Sequence, residues 1–154
     1  MDTLVNELAS GIPTGEQAFR VFIRLLAATL LGAIVGYERE ATGKSAGLRT
    51  HMMVAVSSAL FVVAPLEAGM SPEDVSRIIQ GVAAGIGFIG AGAILKVTSN
   101  REIQGLTTAA SIWMTAAVGL ATGLGRLGLA FIGVTLAWVI LYIVARLERE
   151  IPNS

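Results

Sequence analysis

The chain has 154 residues, enough for one domain, and its formal net charge of zero gives no indication of a nucleic-acid partner. Charged residues make up only 14%, where about 25% is usual in soluble domains, and glycine occurs 18 times. Cysteine is absent and His51 is the single histidine, so disulfides, cysteine-ligated metal sites and multi-histidine metal sites are excluded.

Apolar stretches dominate the chain after a polar N-terminal segment, residues 1–18. The first stretch, about 19–37, is apolar except for Arg20 and Arg24, whose long side chains can reach the membrane interface. The second, about 47–69, can span a membrane if Arg49 and Glu67 lie at opposite interfaces. Each of these stretches is therefore a candidate transmembrane segment.

Three further stretches follow, at about 78–95, 103–125 and 127–145, and none contains an Asp, Glu, Lys or Arg. Each reaches the roughly 18 apolar residues that mark a membrane-spanning helix. The apolar runs are continuous rather than alternating, which favours helices over barrel strands. The sequence therefore predicts an all-α membrane protein, a compact bundle of five transmembrane helices (residues 19–145) with a short tail, residues 146–154.

The basic residues divide unevenly between the two sides of such a bundle. One side holds only Arg77 and Arg126, with Arg20 and Arg24 near that end of the first span. The other side holds the larger set, Arg39, Lys44, Arg49, Lys96, Arg101, Arg146 and Arg149. By the positive-inside rule, we expect the larger set and the C-terminus in the cytoplasm and the N-terminus outside.

Two stretches resemble each other, GLRTHMMVAVSSAL from Gly47 and GLTTAASIWMTAAV from Gly105. The same offset places Gly32 of the first span on Gly90 of the third. One interpretation is a parallel repeat of a helix hairpin about an axis along the membrane normal. The alternative is that small residues recur by chance in a glycine-rich membrane protein.

Glycines of the third span match the dinucleotide-binding pattern G-x-G-x-x-G at Gly85, Gly87 and Gly90. That pattern requires a preceding strand within a βαβ unit, whereas here it lies inside one uncharged helical run. Small residues at such spacing let helices approach closely in lipid. We therefore predict helix packing through Gly32, Gly36, Gly81, Gly85, Gly87, Gly90, Gly92, Gly119 and Gly123, in spans one, three and four.

Arg24 is the charged residue that is least expected inside a span. Its guanidinium reaches outer phosphates in one interpretation and pairs with Glu67 or Asp74 in an outer vestibule in the other. If the second holds, Arg24→Ala should impair activity more than Arg20→Ala.

Hydroxyl residues share one face of the fourth span, at Thr108, Ser111, Thr115 and Thr122. They are suited either to line an ion path or, as is more common, to bond backbone carbonyls and neighbouring helices. The loop from Glu38 carries Glu40 among basic residues, which favours internal ion pairs over a hydrated Mg²⁺ site. No nucleophile–base pair occurs, so we predict no catalytic residues and no enzyme.

Three runs together resemble the MgtC/SapB family of bacterial inner-membrane proteins. They are R-LLAATLLGAIVGYERE…KSAGLRTH from Arg24, RIIQGVAAGIGFIGAGAILK from Arg77 and GLTTAASIWMTAAVGLATGLG from Gly105. The positions of polar residues that match family motifs are Arg24, Glu38, Arg39, Glu40, Arg49, Thr50, His51, Asp74, Arg77, Thr107 and Thr108. Ser111 and Thr115 join this set as polar candidates on the fourth span, and Glu38, Glu40 and Asp74 are weak candidates for a metal.

The chain also departs from the family pattern. Many members have Lys-Pro where this chain has Lys44 and Ser45, and many have glutamine where Gly81 stands, with Gln80 one position early. The better-known virulence members carry a soluble C-terminal domain, whereas this sequence stops at Ser154. A function that needs that domain is expected to be missing or supplied by a partner.

The resemblance implies a non-enzymatic protein of the inner membrane that supports adaptation to low magnesium and, in pathogens, survival inside host cells. We expect it to act by modulating another membrane complex. The alternative is a transporter or channel for magnesium or another cation. The expected partners are the lipid bilayer, a second copy in a homo-oligomer, taken as a dimer, and a membrane complex; no cofactor is expected, with Mg²⁺ as ligand or substrate.

Overall fold

The computed structural model describes residues 15–97 and 102–150, with the side chains of 95–97, 102 and 148–150 left out. Five helices in this part of the chain are long and apolar enough to cross a membrane, which confirms the predicted multi-pass helical bundle. They are α1 (Gly15–Ala41), α2 (Leu48–Glu67), α3 (Pro72–Gly92), α4 (Leu106–Gly123) and α5, which begins as Leu127–Val139. The fifth continues through a π-helical turn, Ile140–Val144, into α6, Ala145–Glu150.

Helices α2 and α4 form the centre of the bundle. In the 18-residue apolar stretch of each helix, 50% of α4 and 39% of α2 are buried, against 17% of α1 and of α3. Glycines bring the two central helices together, because a Cβ on Gly123 would lie 3.0 Å from Ala59 Cα and a Cβ on Gly119 would collide with the Ala55 carbonyl. Helix α1 packs on both central helices and α5 covers the groove between α1 and α4.

A short antiparallel hairpin joins α3 to α4, with β1 at Leu95–Val97 and β2 at Glu102–Gln104. The apolar pattern predicted helix for three of these residues, Leu95, Ile103 and Gln104, since spans three and four were expected over 78–95 and 103–125. The break before α4 lies at Gly105, whose φ of +94° is rarely open to other residues and whose missing Cβ leaves room for the Ala93 carbonyl. We call this end of the bundle the hairpin end, and the other the opposite end.

The predicted segment boundaries differ slightly from the helices. Residues 15–18 of the predicted N-terminal segment already belong to α1, and residues 146–150 of the predicted tail belong to α6. The remaining residues of both segments lie outside the described part of the chain. Which end faces the cytoplasm stays a prediction from the distribution of basic residues.

Candidate functional site

The hairpin end contains a buried polar cluster where α1 ends and α2 and α4 begin. Glycines of α1 make room for it: a Cβ on Gly36 would lie 3.1 Å from His51 Cβ, and one on Gly32 would lie 2.7 Å from the His51 carbonyl oxygen. His51 is fully buried as a result. We define the hairpin-end cluster as Glu38, Arg39, His51, Thr108 and Ser111, all of which are buried.

His51 connects α2 to α4 through both ring nitrogens. Its Nδ1 lies 2.9 Å from the Gly47 carbonyl oxygen, and because a carbonyl only accepts, Nδ1 is the donor. Its Nε2 lies 3.1 Å from Ser111 Oγ, which also lies 2.8 Å from the Thr108 carbonyl oxygen. The single Ser111 hydroxyl hydrogen can serve only one of these two acceptors at a time.

A buried ion pair lies at the end of α1. Arg39 Nη1 is 3.4 Å from Glu38 Oε2, and the two side chains are only 4% and 6% exposed. Glu38 Oε2 and Arg39 Nε make no hydrogen bond to any described residue. Breaking such a pair leaves a charge buried without compensation, which typically costs about 3–5 kcal/mol.

Glu40 holds the start of α2. Its Oε2 accepts a hydrogen bond of 2.7 Å from the Leu48 backbone amide, where a carboxylate also meets the positive end of the helix dipole. Gly47 leaves room for this contact, because a Cβ there would lie 2.7 Å from the same oxygen. The loop carboxylates Glu38 and Glu40 therefore serve an ion pair and a helix start.

The predicted metal candidates do not come together. Asp74 lies at the start of α3, at the opposite end from Glu38 and Glu40. In the described residues, no group of three or more His, Asp or Glu side chains is placed to hold an ion. The described donors around Glu38, with an arginine against the buried carboxylate, do not fit a resident Mg²⁺ site.

The hydroxyls of α4 bond backbone carbonyls one turn earlier. Thr115 donates to the Ser111 carbonyl over 2.8 Å and Thr122 to the Val118 carbonyl over 2.7 Å, and both side chains are fully buried. Of the two interpretations of this row, the structure therefore shows the backbone bonds. Ser111 alone among them also contacts a side chain of another helix.

Arg24 contacts the backbone at the opposite end. Its Nη1 donates to the Gly123 carbonyl oxygen over 3.1 Å, and neither Glu67 nor Asp74 comes within ion-pair distance of it. The last carbonyls of a helix lack intrahelical donors and carry partial negative charge, so a cation there stabilises the end of α4. Of the two interpretations, pairing with a carboxylate is not seen, and the guanidinium instead caps the end of α4.

Asp74 and Arg77 belong to the start of α3. Ser71 Oγ accepts from the Asp74 amide over 3.2 Å and donates to Asp74 Oδ2 over 2.9 Å, a reciprocal cap that fixes this helix end. Arg77 lies 3.7 Å from Asp74 with its side chain 79% exposed, and ion pairs of that kind contribute little. Both residues are thus accounted for by helix capping.

The other predicted residues lie at helix starts or on helix faces. Arg49 and Thr107 are exposed and Thr50 is half-buried, each in the first turn of its helix. Of the α3 glycines, only Gly90 packs inside the described chain, where an added Cβ would lie 3.5 Å from Ala109 Cβ. The prediction of packing differs from the structure at four positions where a Cβ would meet nothing within 4 Å, namely Gly81, Gly85, Gly87 and Gly92.

Ser58 is a residue whose importance the sequence pattern did not indicate. It lines a groove between α2 and α3, is only 3% exposed, and makes no hydrogen bond to the described residues. The available signal was two successive hydroxyls in an otherwise apolar span.

Comparison with known proteins identifies relatives along nearly the whole chain. Protein SrpB of Synechococcus elongatus is 45% identical over 90% of this chain and 81% of its own length. The "Putative magnesium transporter YhiD" of Escherichia coli K12 is 40% identical over 86% of this chain and 64% of its own. Protein MgtC of Salmonella typhimurium is 42% identical over 70% of this chain and 45% of its own.

The chain thus spans less than two thirds of YhiD and less than half of MgtC. No solved structure matches it. The family model described as "MgtC family" matches residues 25–150, which include the hairpin-end cluster, α1 from Leu25 onward and the four later spans. This multi-pass membrane protein therefore belongs to the MgtC family.

Proposed function

We propose that this protein is a non-enzymatic component of the bacterial inner membrane that supports growth at low magnesium by modulating another membrane complex. In a pathogen, the same activity would support survival inside host cells. The observation that carries the proposal is the hairpin-end cluster, which is buried and in which an arginine is paired with the one carboxylate. It is built to hold three helices in one arrangement rather than to bind a cation.

Cation conduction requires oxygen ligands that face a shared path. In the described residues, the row on α4 turns its hydroxyls towards carbonyls of its own helix. Arg39 lies against Glu38, and a fixed arginine repels Mg²⁺. Both features favour a protein that presents surfaces to a partner over one that passes ions through its own protomer.

The second candidate function is transport of magnesium or another cation. It is favoured by the name of YhiD, a relative that is 40% identical and is called a "Putative magnesium transporter". Five short helices leave little room for a pore in one protomer, so transport would need more than one copy. Arg24 and the acidic residues near Asp74 would then lie at the entrance of the path.

A test in cells separates a modulator from a transporter. A strain that lacks the protein should regain growth at limiting Mg²⁺ when the full chain is restored, and cross-linking in the membrane should join the chain to another complex. A variant that abolishes the cross-link should also abolish growth. Rescue of growth by a variant that has lost every cross-link to other proteins would contradict the proposal.

A further inference from the structure

Helix α3 presents a face that nothing in the described chain covers. A Cβ on Gly81, Gly85 or Gly92 would meet no atom within 4 Å, and Phe88 on the same face is 85% exposed. Glycine weakens a helix relative to other residues, so an exposed stripe of it in lipid gives no benefit to a monomer. Gly81 and Gly85 form a G-x-x-x-G pair, the spacing at which two helix backbones pack in membranes.

A groove of about 560 Å³ runs beside this face, between α2 and α3. Its walls are uncharged and apolar apart from Ser57 and Ser58, and they include Gly81 and Gly85 of the glycine face. The two helices are consecutive in sequence but touch over a small area, because α3 packs chiefly on α4. The groove therefore extends over about three turns of α3, from Ile78 to Ile89, and its lining resembles a helix-packing surface.

Two polar side chains, one on α2 and one on α3, make no hydrogen bond to the described residues. Ser58 lines the groove. This residue is only 3% exposed, yet its hydroxyl makes no hydrogen bond to the described residues. Gln80, on the flank of α3 that points away from the groove, is exposed and equally unpaired. A polar group without a partner in lipid is costly, so each position indicates a missing neighbour.

The two residues lie at similar depth in the bundle. Helix α2 ends at Glu67 and α3 begins at Pro72, at the same end. At a rise of about 1.5 Å per residue, Ser58 lies about 13 Å and Gln80 about 12 Å from that end. A glutamine of this kind, brought against the groove from outside, would meet the Ser58 hydroxyl.

The other side of the bundle shows what fills such a groove. Helix α5 packs between α1 and α4, where Ala130, Val134 and Ala137 meet Val35 and Val118. The offset that aligns Gly47 with Gly105 also aligns α1 and α2 with α3 and α4. Under that alignment, the groove between α3 and α2 corresponds to the one that α5 fills, and its expected occupant is an uncharged helix.

We propose that this occupant is α3 of a second copy of the chain. All copies insert with the same orientation, so a two-fold axis along the membrane normal sets the two α3 helices parallel, with the glycine faces in contact. This symmetry places the Gln80 flank of each copy beside the α2–α3 groove of the other, at the depth of Ser58. A lipid chain would fill the volume but would leave Ser58 unpaired and would not need the glycines.

This interface holds whether the protein regulates or transports, so its test stands apart from the test of function. The chain has no cysteine, and a single introduced cysteine therefore reports one position. Phe88→Cys on α3 is compared with Phe131→Cys on α5, where the phenylalanine is 62% exposed. In oxidised native membranes, we expect a disulfide-linked dimer at position 88 and at least about tenfold less at position 131, which lies off the proposed axis.

A matched glycine pair tests whether contact depends on close approach. Gly85→Ile and Gly128→Ile both place the new side chain in open space within the protomer. In the Phe88→Cys background, Gly85→Ile should reduce the cross-linked fraction by about tenfold or more, and Gly128→Ile should leave it unchanged. Ser58→Ala and Gln80→Ala should each reduce it by about threefold to tenfold, the loss of one interhelical hydrogen bond.

If Gly85→Ile fails to accumulate in the membrane, Ser58→Ala and Gln80→Ala test the proposed interface in its place. Equal cross-linking at positions 88 and 131 would mean random collision and would overturn the proposal. So would adducts with another protein only, or a bound lipid that Gly85→Ile displaces while no dimer forms in the parent.

Discussion

At the residue scale, His51 and Ser111 are the side chains that tie α2 to α4. Their bond of 3.1 Å lies at a buried position where water cannot replace a lost partner. The packing around them depends on the glycines of α1, which let the backbone of α2 approach. Removal of one polar atom from this cluster should therefore disturb the packing of α1, α2 and α4.

Removing the Ser111 hydroxyl should destabilise the bundle. We expect Ser111→Ala to lower the free energy of unfolding in detergent by about 1–3 kcal/mol, because His51 Nε2 is left buried and unpaired. Thr135→Ala is the control, since its hydroxyl also bonds the carbonyl one turn earlier but is exposed. Equal effects of the two changes would contradict a role for the contact between His51 and Ser111.

The ion pair of Glu38 and Arg39 should behave asymmetrically. Arg39→Leu leaves a carboxylate buried alone and should cost about 3–5 kcal/mol of unfolding free energy, while the double variant Glu38→Leu/Arg39→Leu should recover most of that loss. The exposed pair of Glu16 and Arg20, 3.7 Å apart, is the matched control, and Arg20→Ala should change stability by less than about 1 kcal/mol. A double variant as unstable as Arg39→Leu would refute this account.

At the scale of elements, the central contact is α2 against α4, and glycines set its distance. A Cβ added to Gly119 would collide with the Ala55 carbonyl and would lie 2.9 Å from Ser58 Cβ. Backbone and Cβ atoms cannot move aside as the end of a long side chain can. The helices must therefore separate to admit even a methyl group.

Gly119→Ala should destabilise the bundle by about 1–3 kcal/mol, the usual cost of overpacking. Gly128→Ala, at a position with nothing within 4 Å, should be neutral or stabilise α5 by up to about 1 kcal/mol. Thermal unfolding of both purified variants in the same detergent checks the difference. A Gly119→Ala protein as stable as Gly128→Ala would show that α2 and α4 do not meet in this way.

The end of α4 depends on Arg24. We expect Arg24→Ala to cost about 1.5–3 kcal/mol in unfolding free energy through loss of a charged hydrogen bond to Gly123, and Arg20→Ala to cost much less. Arg24→Lys should restore part of the loss, because a lysine keeps the charge at the helix end. If Arg24→Ala leaves stability intact yet abolishes activity, the arginine has a functional role that the cap does not explain.

At the scale of the molecule, the sequence predicted the five spans because a sufficiently long apolar run can be recognised without knowing what packs against it. It did not predict the direction of the α3 glycines, since spacing shows which residues share a face but not what covers that face. The partner of Arg24 was missed for a related reason: it is a backbone carbonyl, which no side-chain pattern reveals. Three residues of the hairpin, Leu95, Ile103 and Gln104, lay inside runs that were apolar enough for helix.

Mg²⁺ flux into proteoliposomes that contain only this protein, with a Mg²⁺-sensitive dye inside and Arg24→Ala alongside, tests the proposed function most directly. The account predicts no flux above that of protein-free liposomes, in vesicles where the protein is shown to be folded and oriented. Flux in the parent above that background would contradict it and would establish a transporter, and loss of flux in an equally folded Arg24→Ala protein would place the arginine on the path.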